Sequence, residues 1–106
     1  MSYYEVRKTL REFMAEREWQ QFHTSENLIK SVAVEAGELL ECAQWGGEPD
    51  PDKVQEELAD VLTYCYLLAD KMGWEPEQVI LQKLEATRLK YPPEKSRGLS
   101  TKYDEL

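Results

Sequence analysis

Apolar residues recur at every third or fourth position along most of the chain, which is the spacing of amphipathic helices rather than of strands. In the first such segment, Ser2 and Glu5 form a capping box, a pattern that begins a helix by satisfying its free N–H groups. The apolar face that follows consists of Val6, Leu10, Phe13 and Met14. This helix is predicted to end near Glu18, before the junction "WQQFHTS".

A second helix is predicted to begin at Thr24 or Ser25 and to run to about Trp45, where the loop "GGEPDP" follows. Its apolar stripe consists of Leu28, Val32, Leu39 and Cys42. A third helix is predicted from the Asp50-Pro51 pair to Gly73. Its stripe consists of Val54, Leu58, Val61, Leu62, Cys65 and Leu68.

The fourth predicted helix begins at Glu75-Pro76 and ends at Pro92-Pro93, whereas residues 94–106 lack periodicity and are predicted to be extended. No segment alternates between apolar and polar residues as a strand does. The sequence therefore predicts an all-α protein, a four-helix bundle with short connections. One helical domain is expected over residues 1–93, with an extended C-terminal tail over 94–106.

Composition and charge indicate a globular protein and argue against a membrane or nucleic-acid partner. With 106 residues, 42% of them hydrophobic and 32% charged, the chain fits one globular domain. No apolar run approaches the roughly 18 residues of a membrane span, and the N-terminal segment lacks the apolar region of a signal peptide, so cytoplasmic residence without a membrane partner is expected. A net charge of −8 argues against nucleic acid as a partner, since no basic stripe faces phosphates. Cys42 and Cys65 are expected to be reduced.

Two glutamates of the second helix lie where an ordinary amphipathic helix carries apolar side chains. Because each residue advances about 100° around the axis, Glu35 falls about 20° from the centre of the apolar stripe and Glu38 about 80° from it. Glu41, by contrast, points to the opposite side of the helix.

The third helix repeats this pattern. Glu57 lies about 60° from the stripe centre, and Asp60 and Tyr64 continue along that flank. The two helices therefore carry E-x-x-E and E-x-x-D, and a spacing of three places each pair on one face. One such pair usually marks only a solvated surface, but two pairs beside apolar stripes repel each other unless they take up protons or share a cation.

The residue types narrow the choice of cation. Four carboxylates without a histidine or thiolate form an all-oxygen ligand set, which suits Mg²⁺ or Mn²⁺ better than Zn²⁺. A di-iron site in a helical bundle needs a Glu-x-x-His motif, and His23, the only histidine, lies outside both helices. We therefore expect Mg²⁺, with Mn²⁺ as a substitute, at a site with open positions for substrate phosphates.

The sequence around these acids resembles a known family. The segments that carry the resemblance are, in chain order, "AEREWQQFHTSENL", "EAGELLECAQW", "EELADVLTYCYLLA", "KLEATRLKYP" and "STKYDEL". They are similar to the all-α nucleoside triphosphate pyrophosphohydrolases of the MazG-like superfamily, and within it to the dCTP pyrophosphatase branch. Several independent segments in the right order are more specific than the acidic pairs alone.

This resemblance implies an enzyme that cleaves dCTP, or a modified dCTP, between the α- and β-phosphates with Mg²⁺ and releases the monophosphate and pyrophosphate. Such enzymes clear surplus or non-canonical deoxynucleotides. The implied metal ligands are Glu35, Glu38, Glu57 and Asp60. Either Glu38 or Glu57 would orient the attacking water, as the catalytic residue. The implied substrate-binding residues are Trp19, Gln20, Gln21, Phe22, His23, Trp45 and Tyr64.

Two other functions stay open at this stage. One is a pyrophosphatase of broader specificity that acts on other nucleoside triphosphates or on dUTP. The other is a non-catalytic helical module that binds nucleotides or another protein. Base selectivity is also open, because Leu10 and Thr87 stand where relatives are expected to carry histidine and asparagine.

Assembly into a homodimer or homotetramer is a further implication of the resemblance. Val34 and Leu67 lie about 120° and 140° from the centres of their stripes. Two apolar residues that face outward on the central helices would suit contact with a second subunit.

Overall fold

The computed structural model describes residues 2–105 and is helical, without strands, over that range. The elements are α1 (Tyr3–Glu16), a 3₁₀ helix (Trp19–Phe22), α2 (Ser25–Glu41), α3 (Pro51–Lys71), α4 (Pro76–Lys90), the short α5 (Pro93–Ser96) and a second 3₁₀ helix (Tyr103–Glu105). The all-α class is therefore confirmed, and the four predicted helices correspond to α1, α2, α3 and α4. No helix in this part of the chain is long and apolar enough to cross a membrane.

Three helices begin where the capping residues predicted them. In each case a side-chain oxygen at the N-cap accepts a hydrogen bond from a backbone N–H of the first turn. The acceptors are Ser2, Thr24 and Asp50, at 3.3, 3.1 and 3.1 Å. Pro51 then occupies the first position of α3, where no N–H is needed.

The end of α2 differs from the prediction. The helix ends at Glu41 rather than near Trp45, and residues 42–45 form turns in which Cys42 and Ala43 donate to carbonyls three residues back. Gly46 and Gly47 follow with positive φ angles of 77° and 73°, which a helix does not accommodate. Trp45 therefore lies in the connection between α2 and α3.

The chain divides into two compact units, the first of which ends at Trp74. In this unit α2 and α3 form an antiparallel pair, since Leu28 lies near Leu67 while Glu38, further along α2, lies near Glu57, earlier on α3. The core consists of Met14, Leu28 and Leu67, with Leu10, Tyr64 and Leu68 packed around it.

The face that α3 turns toward α2 differs from the predicted one. Leu67, which was expected to face outward, is only 8% exposed, so this expectation is wrong. The acidic flank of α3 and Leu67 share the face that contacts α2, whereas Leu58 and Leu62 of the predicted stripe are 43% and 49% exposed. Apolar periodicity on α3 therefore found part of its packed surface, including Leu68, but missed Leu67.

The second unit begins at Glu75 and contains α4, α5 and the final 3₁₀ helix. The residues after 93, which were predicted to be extended, include a helical turn that begins at Pro93. The backbone N–H of Tyr103 donates to the hydroxyl of Tyr91 at 3.2 Å, and the two rings meet edge to face. This contact ties the tail to the end of α4. A boundary after residue 93 stays a prediction.

Candidate metal centre and nucleotide pocket

The four acids singled out in the sequence form one cluster. Each of Glu35, Glu38, Glu57 and Asp60 offers a carboxylate oxygen, and these oxygens all lie within 4.8 Å of one another. Two of the acids are separated by one turn on α2 and the other two by one turn on α3. Because the helices run antiparallel, the second acid of each pair lies near the first acid of the other helix.

Two oxygens of this cluster have no hydrogen-bond partner among the described residues. Oε2 of Glu35 and Oε2 of Glu57 are both buried, and no donor reaches either atom. A buried carboxylate oxygen without a partner is costly because it has lost its water without replacing it. A cation bound among the four acids would satisfy both atoms together.

Crowding of negative charge changes the acidity of the cluster. The pKa of Glu38 is raised above its ordinary value, first by a hydrogen bond with Glu35 and then by repulsion from that carboxylate. The pKa of Glu57 is raised mainly by loss of solvent and then by the charge of Glu38. Both shifts have the direction expected for carboxylates that have lost solvent or lie close to another carboxylate.

The cluster fits a hard divalent cation. Mg²⁺ binds oxygen ligands at about 2.0–2.1 Å, so oxygens on opposite sides of the ion lie about 4 Å apart. A separation of up to 4.8 Å between the carboxylate oxygens needs only small side-chain movements to reach that geometry. Among the described residues, the cluster contains only carboxylates and neither histidine nor cysteine. This is the ligand set that Mg²⁺ and Mn²⁺ prefer.

A cavity of about 290 Å³ opens beside the cluster, at the end of the helix pair nearest the connection. Its lining residues are Glu38, Glu41, Cys42, Trp45, Asp50, Lys53 and Glu57. Trp45 is 84% exposed, so its indole surface is available to a ligand. Lys53 was not singled out in the sequence, although its position one turn before Glu57 on α3 is a signal that would have found it.

A second cavity, of about 300 Å³, lies toward the other end of α2 and α3. Its lining residues are Arg11, Met14, Gln20, His23, Leu28, Leu67, Asp70 and Lys71. The residues expected to bind substrate are therefore divided, since Gln20 and His23 line this cavity and Trp45 lines the first one. Tyr64 lies on α3 between Asp60 and Leu67 and packs against the core.

The remaining predicted substrate residues belong to the first 3₁₀ helix. Trp19 meets Phe13 edge to face, with ring centroids 5.8 Å apart. The side-chain amide of Gln21 donates to the backbone carbonyl of Glu18 at 2.8 Å, and Phe22 is largely exposed. Trp19 and Gln21 therefore contact residues close to them in the chain, whereas the ring of Phe22 is exposed to solvent.

Comparison with known proteins decides the family. The sequence profile of the MazG-like family matches residues 30–106, which is most of the chain. This chain belongs to the MazG-like family. The resemblance noted in the sequence is therefore confirmed. The chain is 39% identical to human dCTP pyrophosphatase 1 and 37% identical to the mouse protein, each over 112 aligned residues that cover 96% of the chain.

Two further facts bear on how far this likeness extends. The chain spans 66% of the length of these curated relatives. A crystal structure of a pyrophosphatase from Archaeoglobus fulgidus superposes with a TM-score of 0.77 at 36% sequence identity, covering 85% of this chain and 92% of that one. The chain therefore shares its fold with a solved pyrophosphatase over most of its length.

Proposed function

We propose that this chain is a nucleoside triphosphate pyrophosphohydrolase that uses Mg²⁺ and prefers dCTP or a modified dCTP. The reaction yields the nucleoside monophosphate and pyrophosphate. The observation that carries the proposal is the cluster of four carboxylates, with two buried oxygens that have no hydrogen-bond partner in the described chain. The similarity to dCTP pyrophosphatase 1 supports the choice of substrate.

The four acids have separate tasks in this proposal. Glu35 and Asp60 complete the ligand set, and a bound Mg²⁺ supplies positive charge that offsets the negative charge of the phosphates. Glu38 and Glu57 both line the adjoining cavity, so their carboxylates can also accept a hydrogen bond from the attacking water and orient it.

The nucleotide would lie along the seam between α2 and α3. Flat surfaces for a base lie on both sides of the acids, Trp19 and Phe22 at the first 3₁₀ helix and Trp45 in the connection, and such stacking contributes about 1–3 kcal/mol per base in proteins that bind single strands. Tyr64 lies between the acids and the second cavity. Gln20, Gln21 and His23 have side chains that both donate and accept hydrogen bonds, as recognition of a base edge requires.

We also propose that the chain assembles as a homodimer or homotetramer. Leu58 and Leu62 of α3 and Val34 of α2 are exposed on the central helices. Large apolar side chains left in water on adjoining turns are a feature of protein–protein contact surfaces. Burial against a second copy would remove them from water.

The experiment that tests the function measures pyrophosphate released from a panel of ribo- and deoxynucleoside triphosphates, with Mg²⁺ and with EDTA. The proposal predicts Mg²⁺-dependent release that is fastest with dCTP or 5-methyl-dCTP. Comparable release from many triphosphates would favour an enzyme of broader specificity. No release by folded protein would overturn the proposal and favour a binding module.

A further inference from the structure

The cavity between α1, the first 3₁₀ helix, α2 and α3 contains a charged pair that the proposed reaction leaves without a role. Arg11 of α1 donates two hydrogen bonds to Asp70 of α3, from Nε at 2.8 Å and from Nη2. Both bonds go to Oδ1, so Arg11 does not use the other carboxylate oxygen. Asp70 lines the cavity and keeps 29% of its side chain exposed.

This cavity lies along the same pair of helices as the four acids. Leu28 and Leu67 form part of its lining, and each lies seven residues along its helix from an acid of the cluster, Glu35 and Asp60. At 1.5 Å per residue, this separation is about 10 Å along the seam. A nucleotide whose phosphates lie at the acids can extend its base along the seam in either of two directions, toward the α2–α3 connection or past Tyr64. This cavity lies in the second direction.

Asp70 differs from the other side chains around the cavity in the hydrogen bonds that it can make. Arg11 and Lys71 can only donate hydrogen bonds, and Gln20 and His23 can both donate and accept. Met14 offers only a weakly accepting sulfur, so the carboxylate of Asp70 is the one strong acceptor of the lining that carries no donor. Its charge is offset by Arg11, so it does not repel an anionic nucleotide as an isolated carboxylate would.

We propose that Asp70, held in place by Arg11, is a specificity-determining residue that accepts a hydrogen bond from the exocyclic amino group of the base. This inference rests on the proposed function, and it identifies the substrate class as nucleotides with an amino-substituted base, such as cytosine. Uracil and thymine carry a carbonyl at the same position, which would face a carboxylate oxygen without a proton between them. Arg11 acts as a positioning residue through Asp70.

The test compares the wild type with Asp70→Asn by measuring kcat and KM for dCTP and dUTP. Asparagine can still accept from Arg11 through its carbonyl, but its NH₂ group replaces the second oxygen with a donor. The ratio of kcat/KM for dCTP to that for dUTP is expected to fall by about tenfold or more, chiefly through KM. The ratio of the dissociation constants for dCMP and dUMP, measured by calorimetry, is expected to fall in parallel.

A double variant separates recognition from a structural role. Arg11→Met with Asp70→Leu replaces the ion pair between α1 and α3 with an apolar contact and leaves no carboxylate in the cavity, whereas a charge swap would return one at position 11. If the pair serves only to join the helices, this variant recovers the stability and the base preference of the wild type, and the inference is overturned. The inference predicts recovered stability with lost preference for dCTP.

Glu26→Gln is the matched control, because Glu26 also pairs with a basic residue, Lys30 at 3.0 Å, but lines none of the described cavities. It should leave the dCTP to dUTP ratio unchanged. Two failures are distinguishable. A wild type that releases no pyrophosphate from any triphosphate contradicts the proposed function. Normal turnover with an unchanged ratio in Asp70→Asn contradicts only the role of Asp70.

Discussion

Glu38 of α2 and Glu57 of α3 bring carboxylate oxygens within 4.8 Å of each other across the antiparallel helix pair, and the pKa of each is raised. Each residue lies one turn from a second acid on its own helix. This arrangement concentrates four carboxylates in a place where the folded chain offers two of the buried oxygens no hydrogen bond. This cluster is the candidate site for a divalent cation.

The first prediction concerns the metal ligands. Glu57→Gln is expected to lower kcat/KM for dCTP by at least about a hundredfold, since even residues outside the ligand set cost 10–100-fold in such sites. Glu56→Gln is the matched control, because Glu56 is the neighbouring, solvent-exposed acid on α3. Steady-state kinetics at several Mg²⁺ concentrations measure both variants. Equal activity of the two variants would contradict the assignment.

The second prediction concerns pH. Without metal, the pKa of Glu38 is raised above its ordinary value near 4.5 by Glu35. The folded state therefore binds a proton at Glu38 more tightly than the unfolded state does. The stabilisation that this proton provides is complete below about pH 4.5 and is lost as pH rises through the raised pKa. Metal-free Glu38→Gln should consequently have a higher Tm than the wild type at pH 7.5.

The difference in Tm between these two proteins should vanish at acidic pH, where Glu38 is protonated. Added Mg²⁺ should raise the Tm of the wild type at pH 7.5 more than that of Glu38→Gln. Differential scanning fluorimetry of both proteins measures these differences, in EDTA at acidic pH and at pH 7.5 and in Mg²⁺ at pH 7.5. A wild type that is more stable than Glu38→Gln in EDTA at pH 7.5 would show that the carboxylates do not repel each other.

The third prediction concerns the core of the first unit. Leu28 is 1% exposed, so Leu28→Ala should lower the free energy of unfolding by about 2–5 kcal/mol through lost burial and a residual cavity. Leu89→Ala is the control, since Leu89 is 86% exposed and its loss should cost less than about 0.5 kcal/mol. Urea unfolding at one fixed protein concentration measures both. Equal effects would contradict the packing described for α2.

The fourth prediction concerns assembly. The wild type should have a mass in solution of two or four times 12.4 kDa, as measured by light scattering coupled to gel filtration. Leu62→Glu places a charge on the exposed apolar surface of α3 and should reduce that mass. Leu99→Glu, at an exposed leucine of the second unit, is the control. A wild type of 12.4 kDa would contradict the proposed oligomer.

Local signals in the sequence predicted the helices well because capping depends on residues close together in the chain. Ser2, Thr24 and Asp50 cap the helices that they were expected to begin. The prediction that two acids of each central helix lie beside its apolar face likewise depends only on helical spacing, and the structure places these acids together.

Contacts between helices could not be predicted from such local signals. The stripe on α3 contains many apolar residues, so periodicity favoured it, yet Leu67 contacts Leu28 on another flank. The choice between two apolar flanks depends on partners that the sequence of one helix does not contain. The pair of Arg11 and Asp70 is separated by 59 residues and carries no local pattern. The separation of Trp45 from His23 into different cavities similarly depends on how the helices pair.

³¹P NMR of dCTP incubated with the purified chain and Mg²⁺ tests the proposed cleavage between the α- and β-phosphates directly. We expect the triphosphate signals to be replaced by those of dCMP and pyrophosphate, and neither EDTA-treated wild type nor Glu57→Gln to produce them at a comparable rate. Formation of dCDP and orthophosphate, or pyrophosphate release that continues in EDTA, would contradict the proposed reaction and its metal site.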